Sequence, residues 1–425
     1  MSDGLKVCFI TKMYPPRTGG GATYAYELAN ALGELGHDVD VYTQSVPGED
    51  NDVSTHPNVS VTRITKARPL VVFSTLYFSI ACRFQIDFEG YDVIHGTLMP
   101  ASTIALGPQF LAGLDAPLVL TSHGTSYDEA RAVDPQSPPD YLFKYVFHPI
   151  NVALDAVAGQ FADHIIGVSD HTREQLRDLY RFDADDLTTV PPGIDADRFQ
   201  PTDEVHPAID TDRESILVLS RLDPRKGIDK AIRAFAQLER EDAELLIAGT
   251  GRLEESLREL AAALGVSDGV RFLGFVPDEE LPELYSSVDL FVLPSEYEGF
   301  GIVFMEAMAC ETPVVGTEVG GIPTAVDAGE TGYLVPKDGI SELAGRMEEL
   351  LGDSREHERM AQASRTWAVE HDWTAIAERV SRVYAESRWW GEVVSATRCS
   401  GLCRRPWCRS CPIRCTTAGA RTCRR

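Results

Sequence analysis

Two glutamates, Glu298 and Glu306, stand eight residues apart around a glycine turn, a spacing that could hold the two ends of one ligand. An apolar run stops at Pro294, the turn Glu-Gly-Phe-Gly follows, and a helical apolar segment then carries Glu306. Because eight helical residues span about 12 Å and slightly more than two turns, both carboxylates would lie near one face. One could bind a sugar and the other a ribose. Two ordinary solvated glutamates explain the spacing equally well in a chain with 65 acidic residues.

A basic pair, Arg221 and Lys226, follows an all-apolar strand that we expect at residues 216–219. Open parallel sheets bind ligands at the carboxyl ends of their strands, and two cations five residues apart on one such loop suit a diphosphate. Charge-assisted contacts to phosphate oxygens are among the stronger hydrogen bonds. The alternative is a solvated basic loop. The scarcity of lysine in this chain favours the phosphate role.

A glycine run lies between the first expected strand, at residues 6–10, and the first expected helix, at residues 24–35. The run consists of Gly19, Gly20 and Gly21. Without side chains there, backbone amides could approach a bulky anion closely. A mere flexible turn is the alternative, but the position directly after a strand favours an anion site.

Two histidines end expected strands of the same domain. His123 follows the strand at residues 117–121, and His95 ends the strand at residues 91–95. Both would lie at the carboxyl edge of a parallel sheet, where ligands bind. A lone histidine is more often structural than catalytic. Of the two, His95 is the weaker candidate for a catalytic role.

Strands and helices alternate along most of the chain, which predicts the α/β class with parallel sheets. A length of 425 residues suggests two domains, each with its own core. The polar, proline-containing residues 200–214 fit a boundary between them. Gly249 and Gly251 imitate a dinucleotide fingerprint, but Glu254 stands where its third glycine would be. A nicotinamide site is therefore excluded.

The segment EGFGIVFMEAMA at residues 298–309 resembles the E-x7-E signature of retaining glycosyltransferases with the GT-B fold, specifically family 4, glycosyltransferase group 1. Similar elements are TSHG at 121–124, PPGID at 191–195 and SRLDPRKG at 220–227, and the resemblance extends from residue 6 to about residue 384. Three positions depart from the family pattern: Pro192 replaces asparagine, Glu311 replaces glycine and Thr324 replaces glutamate.

The resemblance implies two Rossmann-like domains that face each other across a cleft, with a C-terminal helix crossing back to the first domain. We expect the acceptor-side domain at residues 1–205 and the nucleotide-sugar-binding domain at 206–372. The closing helix is expected at 373–392, and residues 393–425 form a tail.

The resemblance also implies the reaction. A hexosyl group would move from a UDP-, GDP- or ADP-sugar to a glycan or lipid-linked acceptor with retention of anomeric configuration, by front-face attack with the leaving phosphate as base. Mannose or glucose on a lipid or cell-surface polysaccharide is the family-level expectation. A GT-B sugar-nucleotide epimerase and a catalytically silent donor-binding partner in glycan assembly remain alternatives.

Each candidate residue receives a role from the resemblance. Arg221 and Lys226 would neutralise the diphosphate, and Glu306 would bind the ribose hydroxyls. Glu298, with the amides of Phe300 and Gly301, would orient the transferred sugar, which His123 would also contact. Gly19, Gly20 and Gly21 would lie near the diphosphate and the acceptor. No cofactor and no metal are expected, because protein cations do the neutralising.

A net charge of −26 argues against nucleic acid as a partner, because duplexes are bound by basic faces. Such an acidic balance resembles proteins of extreme halophiles, and we expect a haloarchaeal source. At molar salt the Debye length falls to about 3 Å, so the acidic surface need not repel an anionic substrate.

The chain is expected to be cytoplasmic, with peripheral contact at the inner face of the membrane as a further expectation. No signal peptide is recognised, and the longest uncharged stretch, residues 69–82, is shorter than the roughly 20 residues that a spanning helix needs. The aromatic residues 141–147 predict a buried helix, with an acceptor-side or membrane-facing element as the alternative.

The tail differs in kind from the rest of the chain. It is rich in arginine, lacks acidic residues and holds six of the nine cysteines. Only Cys408 and Cys411 form a C-x2-C pair, so a zinc site is not favoured. We expect residues 393–425 to be disordered or the product of a shifted reading frame, with no role in catalysis.

Overall fold

A computed structural model describes residues 4–67, 71–97, 116–132, 141 and 143–398. Its first domain contains a seven-stranded parallel sheet in the order β3-β2-β1-β4-β5-β6-β7. The strands are β1 (Lys6–Ile10), β2 (Asp38–Ser45), β3 (Val59–Lys66), β4 (Val93–Thr97), β5 (Leu118–Ser122), β6 (His164–Gly167) and β7 (Leu187–Thr189). The helices are α1 (Gly20–Glu34), α2 (Val71–Gln85), α3 (Ser126–Ala132), α4 (His148–Gly159) and α5 (Asp170–Asp178).

The second domain contains a six-stranded parallel sheet in the order β10-β9-β8-β11-β12-β13. The strands are β8 (Glu214–Leu219), β9 (Ala243–Ala248), β10 (Val270–Gly274), β11 (Leu290–Leu293), β12 (Val314–Thr317) and β13 (Gly332–Val335). The helices are α6 (Ile228–Phe235), α7 (Glu254–Ala263), α8 (Leu281–Ser286), α9 (Ile302–Ala309), α10 (Ile322–Ala325), α11 (Ile340–Gly352) and α12 (Ser354–Glu370).

Strands inside both sheets are buried and rich in apolar residues, as expected where helices cover both faces. β5, β9 and β11 are buried at every position, as expected for strands of a parallel sheet. The predicted α/β class with two Rossmann-like domains is therefore confirmed.

Helix α13 (Trp373–Arg398) crosses back to the first domain, as predicted. Trp373, Ile376 and Tyr384 are buried in the same apolar core as Leu28 of α1. The helix was expected to end at residue 392 but continues to Arg398, so the first six residues of the predicted tail are helical. Residues 399–425 lie outside the described residues. Within the described part of the chain, no helix is long and apolar enough to cross a membrane.

The crossover between the domains lies slightly before the predicted boundary at residue 205. Phe199 already packs in the core of the second domain, and Ile194 forms a bridge with Asp372, where the chain returns. Arg365 of α12 fixes this region, because its Nη1 donates to the carbonyl oxygens of Phe199 (2.7 Å) and Ala309 (2.8 Å).

Two local features differ from the sequence expectations. Residues Phe143–Phe147 form a π-helical turn, and Tyr145 and Val146 are 64% and 44% exposed; the predicted buried helix is wrong at these positions. Glu311, which stands where the family has glycine, adopts φ = 60°. This left-handed conformation costs a non-glycine residue about 1–2 kcal/mol, whereas glycine adopts it without that cost.

Candidate functional site

A cavity of about 610 Å³ lies between the two domains, at the carboxyl ends of both sheets. It brings together most of the residues selected from the sequence: Gly19, Gly20, Gly21 and His123 from the first domain, and Lys226, Glu298, Phe300, Gly301 and Glu306 from the second. Arg221 does not line it, and its side chain is exposed on the loop after β8. The next residue, Leu222, is buried in the second core.

The turn between β11 and α9 requires glycine for two separate reasons. Gly301 is the N-cap of α9 with φ = 95°, a conformation that side chains disfavour. At Gly299, a Cβ would lie 2.1 Å from the backbone oxygen of His123. The second domain therefore touches the first directly beside the candidate histidine, and any side chain at residue 299 would force them apart.

Lys226 and Glu298 form an ion pair inside the cavity. Their side chains are 20% and 14% exposed, and the Ser295 hydroxyl donates to Glu298 Oε1 over 3.3 Å. Lys226 is placed by a tight turn in which Gly227 takes φ = 63° and a Cβ would meet the Pro294 oxygen at 2.0 Å. An anion entering the cavity would compete with Glu298 for the ammonium group, leaving the carboxylate available to accept hydrogen bonds.

Glu306 lies on α9 and lines the cavity. Tyr285 Oη donates to its Oε2 over 2.9 Å. Burial raises the pKa of the Glu306 carboxyl to about 7, although the Tyr285 hydrogen bond and the positive charge of Arg198 act in the opposite direction. The carboxylate is therefore poorly solvated, and hydroxyl groups of a ligand would satisfy it.

His123 presents a neutral imidazole to the cavity. Its ring packs edge-on against Tyr24, with the centroids 4.5 Å apart, and burial lowers its pKa to about 4. Among the described residues, its buried Nε2 has no hydrogen-bond partner. A neutral ring with one free nitrogen can exchange a hydrogen bond with a ligand hydroxyl.

His95 lies apart from the cavity lining. Its Nδ1 is 2.6 Å from Tyr384 Oη and its Nε2 is 2.7 Å from Thr121 Oγ1. Burial lowers its pKa to about 3, and His123, when protonated, acts in the same direction. With both ring nitrogens engaged and no cavity contact, His95 connects α13 to the first sheet.

Sequence reasoning missed several residues that line the cavity, namely Arg17, Glu27, Asp195, Arg198 and Trp373. Burial raises the pKa of Glu27 to about 7, and the charge of Asp195 adds to the effect. One signal was available for Glu27: Gly20, Thr23 and Glu27 are spaced as one helical face, and all three line the cavity. Arg198 and Trp373 belong to the crossovers between domains and gave no comparable local signal.

Within the described ranges, no three His, Cys, Asp or Glu side chains group as a metal site.

Comparisons with known proteins agree with this architecture. Residues 199–367 match the family described as Glycosyl transferases group 1, and residues 18–198 match Glycosyltransferase Family 4. The chain is 31% identical to a D-inositol 3-phosphate glycosyltransferase of Frankia alni over 86% of this chain and 94% of the relative. It is 30% identical to a GDP-mannose-dependent alpha-(1-6)-phosphatidylinositol monomannoside mannosyltransferase of Mycolicibacterium smegmatis, covering 89% of this chain and 98% of the relative.

Among solved structures, the sucrose-phosphate synthase of Thermosynechococcus elongatus superposes with a TM-score of 0.76 at 26% identity, covering 90% of this chain and 98% of that chain. The predicted GT-B arrangement is confirmed by this likeness.

Proposed function

Because the chain belongs to the group 1 glycosyltransferases and uses a nucleotide sugar on a GT-B fold, we propose that it transfers a hexosyl group to a glycan or lipid-linked acceptor with retention of anomeric configuration. One observation carries the proposal. Lys226, Glu298 and Glu306 of the second domain meet His123 of the first in a single cavity. A cation, a helix N-terminus and two carboxylates on the donor side suit a diphosphate flanked by two sugars.

Donor placement follows from the order of these groups. Lys226 and the amides at the start of α9 contact the diphosphate, Glu306 accepts hydrogen bonds from the ribose, and Glu298 accepts them from the transferred sugar. His123 contacts that sugar from the first domain. Gly19, Gly20 and Gly21 let the first domain approach the diphosphate. Arg221 is a second cation of the β8 loop, and its side chain lies outside the cavity in this structure.

Bond changes in the proposed reaction balance without a further reactant. The bond between the anomeric carbon and the diphosphate oxygen breaks as the acceptor oxygen bonds to the same face of that carbon. The proton of the acceptor hydroxyl passes to the leaving phosphate. Lys226 stabilises the negative charge that grows on the leaving phosphate in the transition state. Its contact therefore lowers the activation free energy in addition to strengthening donor binding. The two domains exclude water and so limit hydrolysis.

The exposed side chains of Tyr141, Tyr145 and Ile150 support a lipid-linked acceptor, because an aromatic, apolar surface on the acceptor-side domain could rest on a bilayer. We propose that the protein acts in the cytoplasm, peripheral at the inner face of the membrane. The relative named for phosphatidylinositol monomannoside supports a lipid-linked acceptor, whereas the relative named for D-inositol 3-phosphate, a water-soluble phosphate, does not. Co-sedimentation with anionic vesicles that is lost in Tyr145→Ser would support this placement.

Donor binding tests the proposal most directly. Thermal unfolding of the full chain would be followed in high salt with a panel of UDP-, GDP- and ADP-sugars. One donor should raise the Tm, and Glu306→Ala should abolish the rise, whereas Glu259→Ala on the exposed face of α7 should retain it. No rise with any donor would contradict the proposal, whereas donor binding without transfer to any acceptor would favour a silent donor-binding partner. Conversion of the donor to another free nucleotide sugar, without acceptor, would instead identify an epimerase.

A further inference from the structure

A network of charged side chains lies beside the cavity, outside its lining. Lys230 of α6 forms an ion pair with Glu296, which lies in the turn between β11 and α9. Lys337, in the loop after β13, forms a second ion pair with Glu296 over 2.5 Å. The ammonium group of Lys230 also donates to the Lys337 carbonyl oxygen over 2.7 Å and lies 3.5 Å from the Asp338 carboxylate. None of these four residues lines the cavity, and the donor placement proposed above gives them no contact with substrate.

Burial distinguishes this network from an ordinary surface ion pair. The Lys230 side chain is 11% exposed, and the Glu296 side chain is 25% exposed. Burial alone would raise the pKa of the Glu296 carboxyl, but hydrogen bonds from Lys230 and Lys337 outweigh it and hold that pKa below its ordinary value. A mostly buried ammonium group that loses its carboxylate is left unpaired, which is far more unfavourable than the loss of an exposed pair.

The same turn is attached to the loop that carries Lys226. The backbone N–H of Glu296 donates to the Arg225 carbonyl oxygen over 2.7 Å. Lys230 lies four residues after Lys226, on the helix into which the loop leads, and Glu296 lies two residues before Glu298. The backbone bond and the ion pair of Lys230 with Glu296 therefore join the loop after β8 to the turn after β11. These are the two segments that present Lys226 and Glu298 to the cavity.

A bound donor would change the connection between these two segments. In the free protein, Lys226 and Glu298 also join them, inside the cavity. A diphosphate that binds the Lys226 ammonium group displaces Glu298 from it, so this connection is lost, whereas the network outside the cavity is retained. We propose that the ion pair of Lys230 with Glu296 positions Lys226 for the diphosphate, by holding the two segments together when the donor enters. This inference rests on the proposed function, which assigns Lys226 to the diphosphate.

Calorimetric titration of the full chain with UDP, GDP and ADP, at fixed high salt, tests the positioning role. Lys230→Met should weaken the nucleoside diphosphate that the wild type binds most tightly by about 5-fold, within the range of coupling between neighbouring groups. The loss should be smaller than that in Lys226→Ala, because positioning a group cannot contribute more than the group itself. Lys230→Arg keeps the positive charge and should restore most of the affinity. Arg233→Met is the matched control on the same helix, since Arg233 pairs with Asp229 at an exposed site, and it should leave the affinity unchanged.

A double-mutant cycle separates positioning from a general loss of stability. Lys226→Ala removes the group that Lys230 is proposed to position, so adding Lys230→Met to it should weaken binding by less than about 2-fold. Glu296→Gln keeps the shape of the side chain without its charge. It provides a second variant and should follow Lys230→Met with and without Lys226. Thermal unfolding in the absence of nucleotide checks that each variant is folded at the temperature of the titration.

Three results would overturn the inference. In the first, Lys230→Met and Glu296→Gln bind the nucleotide as tightly as the wild type does. In the second, Arg233→Met weakens binding as much as they do. In the third, Lys230→Met weakens binding by the same factor with and without Lys226. Failure of the wild type to bind any nucleoside diphosphate would refute the proposed function and this inference with it, whereas nucleotide binding that is insensitive to Lys230 and Glu296 would refute this inference alone.

Discussion

Replacing Glu306 by glutamine should stabilise the free protein while weakening its nucleotide binding. The carboxyl has an ordinary pKa of 4.5 and a folded pKa of about 7 because of burial. Since the folded state holds the proton more tightly than the unfolded chain, ionisation of Glu306 opposes folding. This destabilisation is absent below pH 4.5, grows between pH 4.5 and 7, and is complete above pH 7.

The magnitude follows from the two pKa values. A rise from 4.5 to about 7, at 1.36 kcal/mol per pH unit, corresponds to roughly 3 kcal/mol at pH 8. Glutamine keeps an oxygen that can accept the Tyr285 hydrogen bond but carries no charge. For a domain of this size, that difference corresponds to a Tm increase of about 6–12 °C at pH 8. Near pH 4.5 the variant and the wild type should unfold at the same temperature.

Thermal unfolding of both proteins from pH 4.5 to 8.5, at fixed high salt, measures the difference. Glu259→Gln on the exposed face of α7 is the matched control and should follow the wild type at every pH. A Glu306→Gln curve that runs parallel to the wild type, or lies below it at pH 8, would refute the argument from burial.

Nucleotide binding should change in the opposite direction. Hydrogen bonds to a charged acceptor contribute about 1.5–3 kcal/mol, so loss of the carboxylate should weaken the nucleoside diphosphate roughly 10- to 100-fold at pH 8. Isothermal titration of wild type and Glu306→Gln gives this ratio. Equal affinities would remove Glu306 from the proposed ribose site.

Three further predictions follow from the cavity and the surface. Lys226→Ala should lower kcat about 10²- to 10³-fold with a smaller change in the donor Kd, whereas Glu306→Ala should chiefly raise the donor Kd. Equal, small effects of the two substitutions in steady-state kinetics would contradict both roles. Tyr384→Phe should lower the free energy of unfolding by about 1–3 kcal/mol in a denaturant titration, because buried His95 loses a hydrogen-bond partner. The same substitution should leave kcat unchanged, and a fall in kcat would instead give His95 a part in the reaction. Stability should rise between 0.1 and 2 M KCl as 65 acidic residues are screened, and a flat salt profile would argue against a halophilic protein.

The local sequence determined the positions of the elements and much of the site. Lys226, Glu298 and Glu306 could be selected because each stands at the end of an apolar strand or on the helix that follows a glycine turn, and these signals span only a few residues. The α/β class with parallel sheets follows from the same alternation of strands and helices, whereas the two Rossmann-like domains facing a cleft were implied by the family resemblance. The left-handed turn at Gly301 is likewise determined by the local sequence, since only glycine adopts this backbone conformation without strain.

Only the tertiary structure decided which of these side chains share one cavity. Arg221 and Lys226 come from the same loop, yet Lys226 alone lines the cavity. Glu27 joined it because the second domain covers that face of α1, and Arg17 joined it from the loop that precedes α1. Arg198 joined it because the chain crosses between the domains there. The raised pKa of Glu306 likewise comes from burial under elements distant in sequence, which outweighs the opposing effects of Tyr285 and Arg198. The burial of a side chain and the charges around it depend on which distant element packs against it. A local sequence pattern carries no information about which element that is.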